Sequence, residues 1–234
     1  MSAIIITPTY NEKGNLKILL EKIFSLQLPD LQVMVVDDNS PDGTGELAEE
    51  LAQHYHLWVL HRVRREGLGR AYIHAFQEVL RAGKAPDYVI QMDADMSHDP
   101  LVIPCFLEKI KTCDLVLGSR YVKGGEIINW GIPRRVISFL GNLFARLVLG
   151  LPHRDLTGGF KCWRIGLLKA IDLNSLSSNG YNFQIETTYR AHQKGFKICE
   201  SPIAFTERKT GVSKFNLGII LESFYKILLL KLRG

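Results

Sequence analysis

The stretch YVIQMDADMSHDP, residues 88–100, decides how the rest of the chain is read. Tyr88, Val89, Ile90 and Met92 form the apolar run of a buried strand, yet the run ends on Asp93 and Asp95, separated only by Ala94. In extended chain, positions i and i+2 project the same way, so the spacing predicts two carboxylates converging at the strand's carboxyl end. Two unpaired carboxylates that close repel each other. A divalent cation between them relieves the repulsion. Oxygen ligands suit Mg²⁺ or Mn²⁺, and Mg²⁺ is commonly held by one or two carboxylates together with substrate phosphates. The plainer reading makes both aspartates turn formers and helix caps ahead of Pro100.

Working outward, similar apolar runs lie at 3–7, 33–37, 57–61 and 115–119, with helical patterns at 15–26, 44–54, 70–82 and 101–111 between them. In the first helix Leu16, Leu19, Leu20 and Ile23 share a face. This rhythm predicts an α/β fold with a mostly parallel central sheet covered by helices. Such sheets bind ligands outside the carboxyl ends of their strands. TPTYNE (7–12), DDNSPDGT (37–44), DADMSH (93–98) and GSRY (118–121) all fall at such ends, which favours the metal reading.

After Tyr121 the rhythm changes. IPRRVISFLGNLFARLVLG (132–150) predicts a long helix starting at Pro133, with Val136, Leu140, Leu143, Phe144 and Leu147 as an apolar stripe beside Arg134, Arg135 and Arg146. DLTGGFKCWR (155–164) reads as a loop entering a short strand, GYNFQIETTYRAHQKG (180–195) as a helix ended by Gly195, and FKICESPIAF (196–205) as a strand bent at Pro202. ERKTGVSKF (207–215) is a basic loop, and the tail from Leu217 is a helix with a wide apolar face flanked by Lys226, Lys231 and Arg233.

The 234 residues fit one α/β domain or a domain with an appendage, and the 46% hydrophobic content supports a proper core. A net charge of +5 permits an anionic partner without demanding one, and no nucleic acid is expected. Cys105, Cys113, Cys162 and Cys199 form no C-x-x-C pair, so free thiols in a reducing compartment are expected and zinc is not. The start, MSAIIITPTYNE, lacks the basic region of a signal peptide, and no stretch reaches the roughly 18 uncharged apolar residues of a spanning helix. The turn after the first strand lacks G-x-G-x-x-G and there is no Walker A loop, so any nucleotide is held by carboxylates and other side chains.

TPTYNE (7–12), VVDDNSPDGT (35–44), REGLGRAY (65–72), MDADMSHDP (92–100), GSRY (118–121), GYNFQIE (180–186) and FTERKTGVSKF (205–215), in this order, resemble glycosyltransferase family 2, and within it the dolichol/polyprenol-phosphate mannose synthases. The resemblance spans almost the whole chain. It implies a GT-A (Rossmann-like) fold, a nucleotide-sugar donor, usually GDP-mannose, and a polyprenyl or dolichyl phosphate acceptor. It divides the chain into a catalytic domain at 1–216, with a nucleotide half to about 121 and an acceptor half beyond, and an amphipathic helix at 217–234.

Carried over by position, the resemblance has Pro8, Tyr10 and Glu12 framing the donor's nucleoside, and Val36 with Asp37 or Asp38 meeting base or ribose. Asp93 and Asp95 match the pair that binds Mg²⁺ or Mn²⁺ and the diphosphate, with the Ala94 backbone nearby. Ser97 stands where some members carry a glutamine as a further metal ligand, a gap that water can fill. Arg120, Arg208 and Lys214 match basic phosphate-binding residues; Arg134 joins them for the acceptor phosphate, with Arg135 competing for that place. Glu186 is either a sugar-hydroxyl contact or a helix-face carboxylate, and His98 is read as a supporting or capping residue rather than a ligand.

The residue types suit the implied chemistry. A phosphate monoester has a second pKa of about 6 and is already nucleophilic at neutral pH, so no general base is needed. Bringing two anions together instead requires fixed cations, which Arg and Lys supply. The expected reaction is inverting displacement giving a β-linked lipid-phosphate mannose. The alternatives are glucosyl or N-acetylhexosaminyl transfer from a UDP-sugar, transfer to a saccharide hydroxyl, or a non-catalytic binding module. The long helix from Pro133 and the tail helix carry apolar faces with basic flanks, as interfacial helices do. Many members have further membrane-spanning helices. The expectation here is peripheral association with the cytoplasmic face of a membrane, the other arrangement being reliance on a separate membrane subunit.

Overall fold

The apolar runs are continuous because the central strands are covered on both faces. The computed structural model describes residues 2–207 and 217–233, with side chains in the last helix from 222 to 232. The strands are β1 (Ala3–Thr9), β2 (Leu31–Asp37), β3 (Leu57–His61), β4 (Tyr88–Gln91), β5 (Leu115–Ser119), β6 (Glu126–Ile128), β7 (Lys161–Arg164), β8 (Ile198–Pro202) and β9 (Ala204–Thr206). Seven of them make one sheet in the order β3-β2-β1-β4-β7-β5-β8, and β6 pairs with β9 beside it. Only β7 runs antiparallel to its neighbours, β4 and β5. The α/β expectation with a mostly parallel sheet therefore holds.

Strand parity sorts the side chains. Ile5, Val33, Val35, Ile90, Val116 and Cys162 point into one core, which α1 (Lys13–Phe24), α2 (Thr44–Ala52) and α4 (Ile103–Lys109) close. Their neighbours Ile4, Ile6, Met34, Val36, Val89, Leu115, Leu117 and Trp163 point into the other. Helices α3 (Leu68–Arg81), α6 (Ile165–Ala170) and α7 (Gly180–Gln193) close that side. Trp163 is fully buried and its indole N–H donates to Gln91 Oε1 at 2.7 Å. A smaller third cluster joins Ala145 and Leu149 of α5 (Ile132–Leu149), Ile185 and Tyr189 of α7, and Ile227 of α8 (Leu217–Arg233).

Two expectations are corrected. Strand β4 stops at Gln91, so Asp93 and Asp95 lie in a turn rather than on alternating strand positions. Met96 there adopts φ +63°, and the Ser97 N–H donates to Asp95 Oδ1 at 3.1 Å, a local bond that competes with strand pairing. The helix expected over 101–111 is broken into a 3₁₀ turn at Pro100–Val102, α4, and a second 3₁₀ turn at Ile110–Thr112. Helix α5 buries Asn142, Ala145 and Leu149, while most of its apolar stripe faces outward. The bend at Pro202 is present: it moves the chain from β8 into β9 and so from one sheet to the other. All four cysteines are free thiols.

The topology fixes where a ligand can sit. From β1 the chain steps to β2 and β3 on one side, then returns to β4 on the other. The carboxyl ends of β1 and β4 thus flank the switch point, where open α/β sheets leave a crevice.

Candidate active site

At the β2 end the two neighbouring aspartates separate in role. The Asp37 carboxylate accepts from Thr9 Oγ1 at 3.1 Å, Ser40 N at 3.0 Å and Ser40 Oγ at 2.6 Å, so the turn consumes it. Asp38 instead forms a buried ion pair with Arg62, which also holds Glu66 at 2.8 Å. Burial raises the Asp38 pKa, against the lowering effect of Arg62 and Arg65. Asp42 accepts from Thr44 and from the Lys13 N–H, while Gly43 takes φ +84° to open α2, so these two are turn residues. Beside Asp38, the Arg65 guanidinium lies 4.0 Å from the centre of the Tyr10 ring, giving a flat, cationic wall. Glu12 begins α1, its carboxylate accepting from Asn15 Nδ2 at 2.8 Å, and Pro8 pairs with Val36 across β1 and β2. The Val36 side chain is wholly in the core, so it cannot contact base or ribose.

Beyond β4, Asp93 and Asp95 are partly exposed and Ala94 between them is buried in the core. The Tyr72 hydroxyl has its pKa raised well above 10, first by burial and then by the charges of both Asp93 and Asp95. The two carboxylates therefore act on one neighbourhood, as the sequence spacing requires, although a turn rather than a strand places them. His98 supports this turn: its Nδ1 accepts the Asp93 N–H at 3.1 Å, and its Nε2 lies 4.0 Å from Asp93 Oδ2. Burial lowers the His98 pKa to about 4, so the ring is neutral at pH 7 with its proton on Nε2. Ser97 is buried, and its hydroxyl has no partner among the described residues.

A second charged cluster stands at the β5 end. Arg120 is buried and meets Asp155 through three bonds, Nε–Oδ2 at 2.7 Å, Nη2–Oδ1 at 2.7 Å and its backbone N–H at 2.9 Å. Its Nη2 also donates to Thr157 Oγ1 at 2.8 Å. Burial alone would depress the Arg120 pKa, but Asp155 outweighs it and holds the value above the ordinary one; Asp155 is correspondingly lowered. Trp130 lies between two guanidiniums, with Arg134 4.0 Å and Arg120 5.4 Å from its ring centre. Arg134 also pairs with Glu207 at 2.5 Å, whereas Arg135 donates to the Trp130 and Ile127 carbonyls. The geometry thus separates the two arginines: Arg134 belongs to this cluster and Arg135 holds backbone. Arg208 and Lys214 lie outside the described residues.

Glu186 is buried in α7, accepting from the Ser178 N–H at 3.1 Å with Arg190 at 3.6 Å, and so acts as a loop clamp. Sequence reading missed Asp155, which no pattern marks within DLTGGF, and Lys161, whose buried ammonium donates to the Gln184 carbonyl at 2.7 Å and to the Thr188 hydroxyl at 3.0 Å. The signal for Lys161 was a basic residue directly between Phe160 and the apolar pair Cys162–Trp163.

Residues 4–171 match the family model described as Glycosyl transferase family 2. The chain belongs to glycosyltransferase family 2. This glycosyltransferase is 43% identical over 228 residues to an undecaprenyl-phosphate mannosyltransferase of Micrococcus luteus, covering 97% of this chain and 93% of that one. It is 42% identical to a polyprenol monophosphomannose synthase of Mycolicibacterium smegmatis, covering 99% of this chain and 87% of that one. Its fold is that of glucosyl-3-phosphoglycerate synthase from Mycobacterium tuberculosis, solved with Mn²⁺, UDP-glucose and phosphoglyceric acid, at a TM-score of 0.70 and 16% identity, covering 99% of this chain and 79% of that one. The GT-A expectation is met.

Among the described residues, no group of three or more His, Cys, Asp or Glu side chains could hold a metal by itself. Asp93 and Asp95, two partly exposed hard oxygen donors, instead fit Mg²⁺ or Mn²⁺ completed by phosphate oxygens and water.

Proposed function

We propose that this glycosyltransferase moves mannose from GDP-mannose to a polyprenyl or dolichyl phosphate, with inversion, at the cytoplasmic face of a membrane. The observation that carries the proposal is the pair of relatives named for lipid-phosphate mannose synthesis, at 42–43% identity over nearly the whole chain. The site agrees with it, having a carboxylate pair beside fixed arginines.

In this reading residues 1–121 hold the donor and 122–216 the acceptor. Tyr10 and Asp38, with Arg62 and Arg65 behind them, receive the nucleoside. Asp93 and Asp95 hold Mg²⁺ or Mn²⁺, which when bound neutralises charge on the departing diphosphate. Arg120 cannot swing away, because Asp155 grips it from two sides; it offers a fixed positive field without a reorganisation cost. Arg134, with Arg208 and Lys214, steers the acceptor phosphate. An oxygen of that phosphate bonds to the anomeric carbon as the bond to the diphosphate breaks, and the electron pair leaves with the diphosphate. His98 stays neutral and keeps Asp93 in place, and the displacement needs no proton transfer from it.

No helix among the described residues is long and apolar enough to cross a membrane. Ile132, Val136, Phe139, Leu140 and Leu147 of α5 are exposed, a face suited to lying in a lipid interface beside Arg134.

The test is a screen of radiolabelled GDP- and UDP-sugars with polyprenyl phosphate in vesicles, with and without Mg²⁺ or Mn²⁺. The expected result is metal-dependent label in the organic phase from GDP-mannose, lost in Asp95→Ala. Label from UDP-glucose or a UDP-N-acetylhexosamine, or label that stays in water on a saccharide, would replace this reading.

A further inference from the structure

Several buried polar atoms lack a hydrogen-bond partner among the described residues, Thr7 Oγ1 and Ser97 Oγ with them, and one side chain near Asp93 lacks a partner at both of its polar ends. Gln184, in the first turns of α7, is 1% exposed, yet neither its Nε2 nor its Oε1 has a hydrogen-bond partner among the described residues. An unmade pair of this kind carries a desolvation cost that native folds rarely keep without a reason. The backbone around it is held firmly. The Gln184 carbonyl accepts from Lys161 Nζ at 2.7 Å, Thr187 Oγ1 at 3.2 Å and Thr188 Oγ1 at 2.9 Å, tying this turn of α7 to the start of β7. The amide is thus presented by a rigid frame.

It is presented toward Asp93. Gly159 lies between them: a Cβ placed there would sit 3.5 Å from Gln184 Nε2 and 3.6 Å from both carboxylate oxygens of Asp93. Those are ordinary contact distances, so the backbone does not forbid a side chain at 159; its lack leaves a methyl-sized hollow between amide and carboxylate. The chemistry of the amide narrows what can fill the hollow. A metal ion would satisfy only the amide oxygen, and a phosphate oxygen only the amide nitrogen. A hydroxyl group both donates and accepts, and a pair of them satisfies both ends.

We infer that Gln184 is a sugar-reading residue: its amide binds hydroxyls of the donor's sugar over Gly159, next to the carboxylate that orients the diphosphate. This inference rests on the proposed use of a sugar nucleotide at Asp93 and Asp95.

The test compares binding of GDP and of GDP-mannose, each with Mn²⁺, to the full chain and to two variants. Gln184→Leu removes both polar atoms at similar volume. Gly159→Ala fills the hollow. Both should fold, Gln184→Leu with an equal or higher Tm because an unsatisfied amide is gone. Both should bind GDP as the unaltered chain does and lose about 10-fold in affinity for GDP-mannose relative to GDP. An equal loss for both ligands would make Gln184 part of the metal or diphosphate site and overturn the inference. So would unchanged binding of both, or a raised KM for the lipid phosphate with donor binding intact. An unaltered chain that binds neither GDP-mannose nor UDP-glucose would instead remove the proposed function beneath it.

Discussion

Helices α1 and α5 obey the same sequence rule and end with opposite outcomes. In α1 the periodic residues Leu16, Leu19, Leu20 and Ile23 are all fully buried under the sheet. In α5 the periodic residues Val136, Leu140 and Leu147 are 49–74% exposed, and the helix turns a polar residue inward. The reason is Asn142. Its Nδ2 donates to the Ser138 carbonyl at 2.9 Å and Thr157 Oγ1 at 3.1 Å, while its Oδ1 accepts from the Leu156 N–H at 2.7 Å and the Thr157 N–H at 3.2 Å. These are the residues that flank Asp155 and, through Thr157, touch Arg120. An apolar stripe therefore says that a surface avoids water; it does not say whether protein or lipid will cover it. In α5 the Asn142 hydrogen bonds, together with buried Ala145 and Leu149, set the interior face, and Val136, Leu140 and Leu147 stay exposed.

That comparison can be broken or sharpened by substitution. The largest effect is expected for Asp155→Ala, which strands a buried Arg120. Stability should fall by about 4 kcal/mol in urea unfolding, and sugar transfer should fall with it, because a buried charge without its partner is costly. In α1, Leu19→Ala should cost about 3 kcal/mol, read as a Tm lower by roughly 10 °C. In α5, the double change Phe139→Ser with Leu147→Ser should move Tm by less than about 2 °C, since surface changes are near neutral. It should nonetheless weaken binding to sedimented lipid vesicles by about 100-fold, from the lost apolar area. A large Tm loss from this pair would mean that the stripe is core after all. The smallest effect is expected in acid. The folded pKa of Asp155 lies below its unfolded value of about 3.8, so its contribution is complete above that pH and fades as pH falls through the folded value. The drop in stability between pH 5 and pH 2.5 should be shallower in Asp155→Asn than in the unaltered chain.

Much of this was legible in the order of residues. The strands on both sides of β4 were readable because a sheet buried on both faces needs unbroken apolar runs, and the clusters at their ends pointed to one edge. The strand that ends before Asp93 and Asp95 was also readable, though the strand geometry invoked for the two carboxylates was not the one found. What could not be read were partners distant in sequence. Nothing local says that Asp155 will meet Arg120, that Asn142 will bridge to Thr157, or that Val36 will face the core while Asp38 faces Arg62. Those pairings exist only once seven strands are in order. Arg134 and Arg135 were adjacent and alike in sequence; only the placement of Trp130 and the Ile127 carbonyl separates them.

The placement of Trp130 has an optical consequence. Of the three tryptophans, Trp163 is sealed in the core and Trp58 stands on β3, far along the sheet from β5. Trp130 has two guanidiniums against its ring, Arg134 and Arg120, and an indole excited state shifts in colour with the field across it. Its emission should therefore change as anions arrive, giving the molecule an intrinsic dye with which occupancy can be followed without any label.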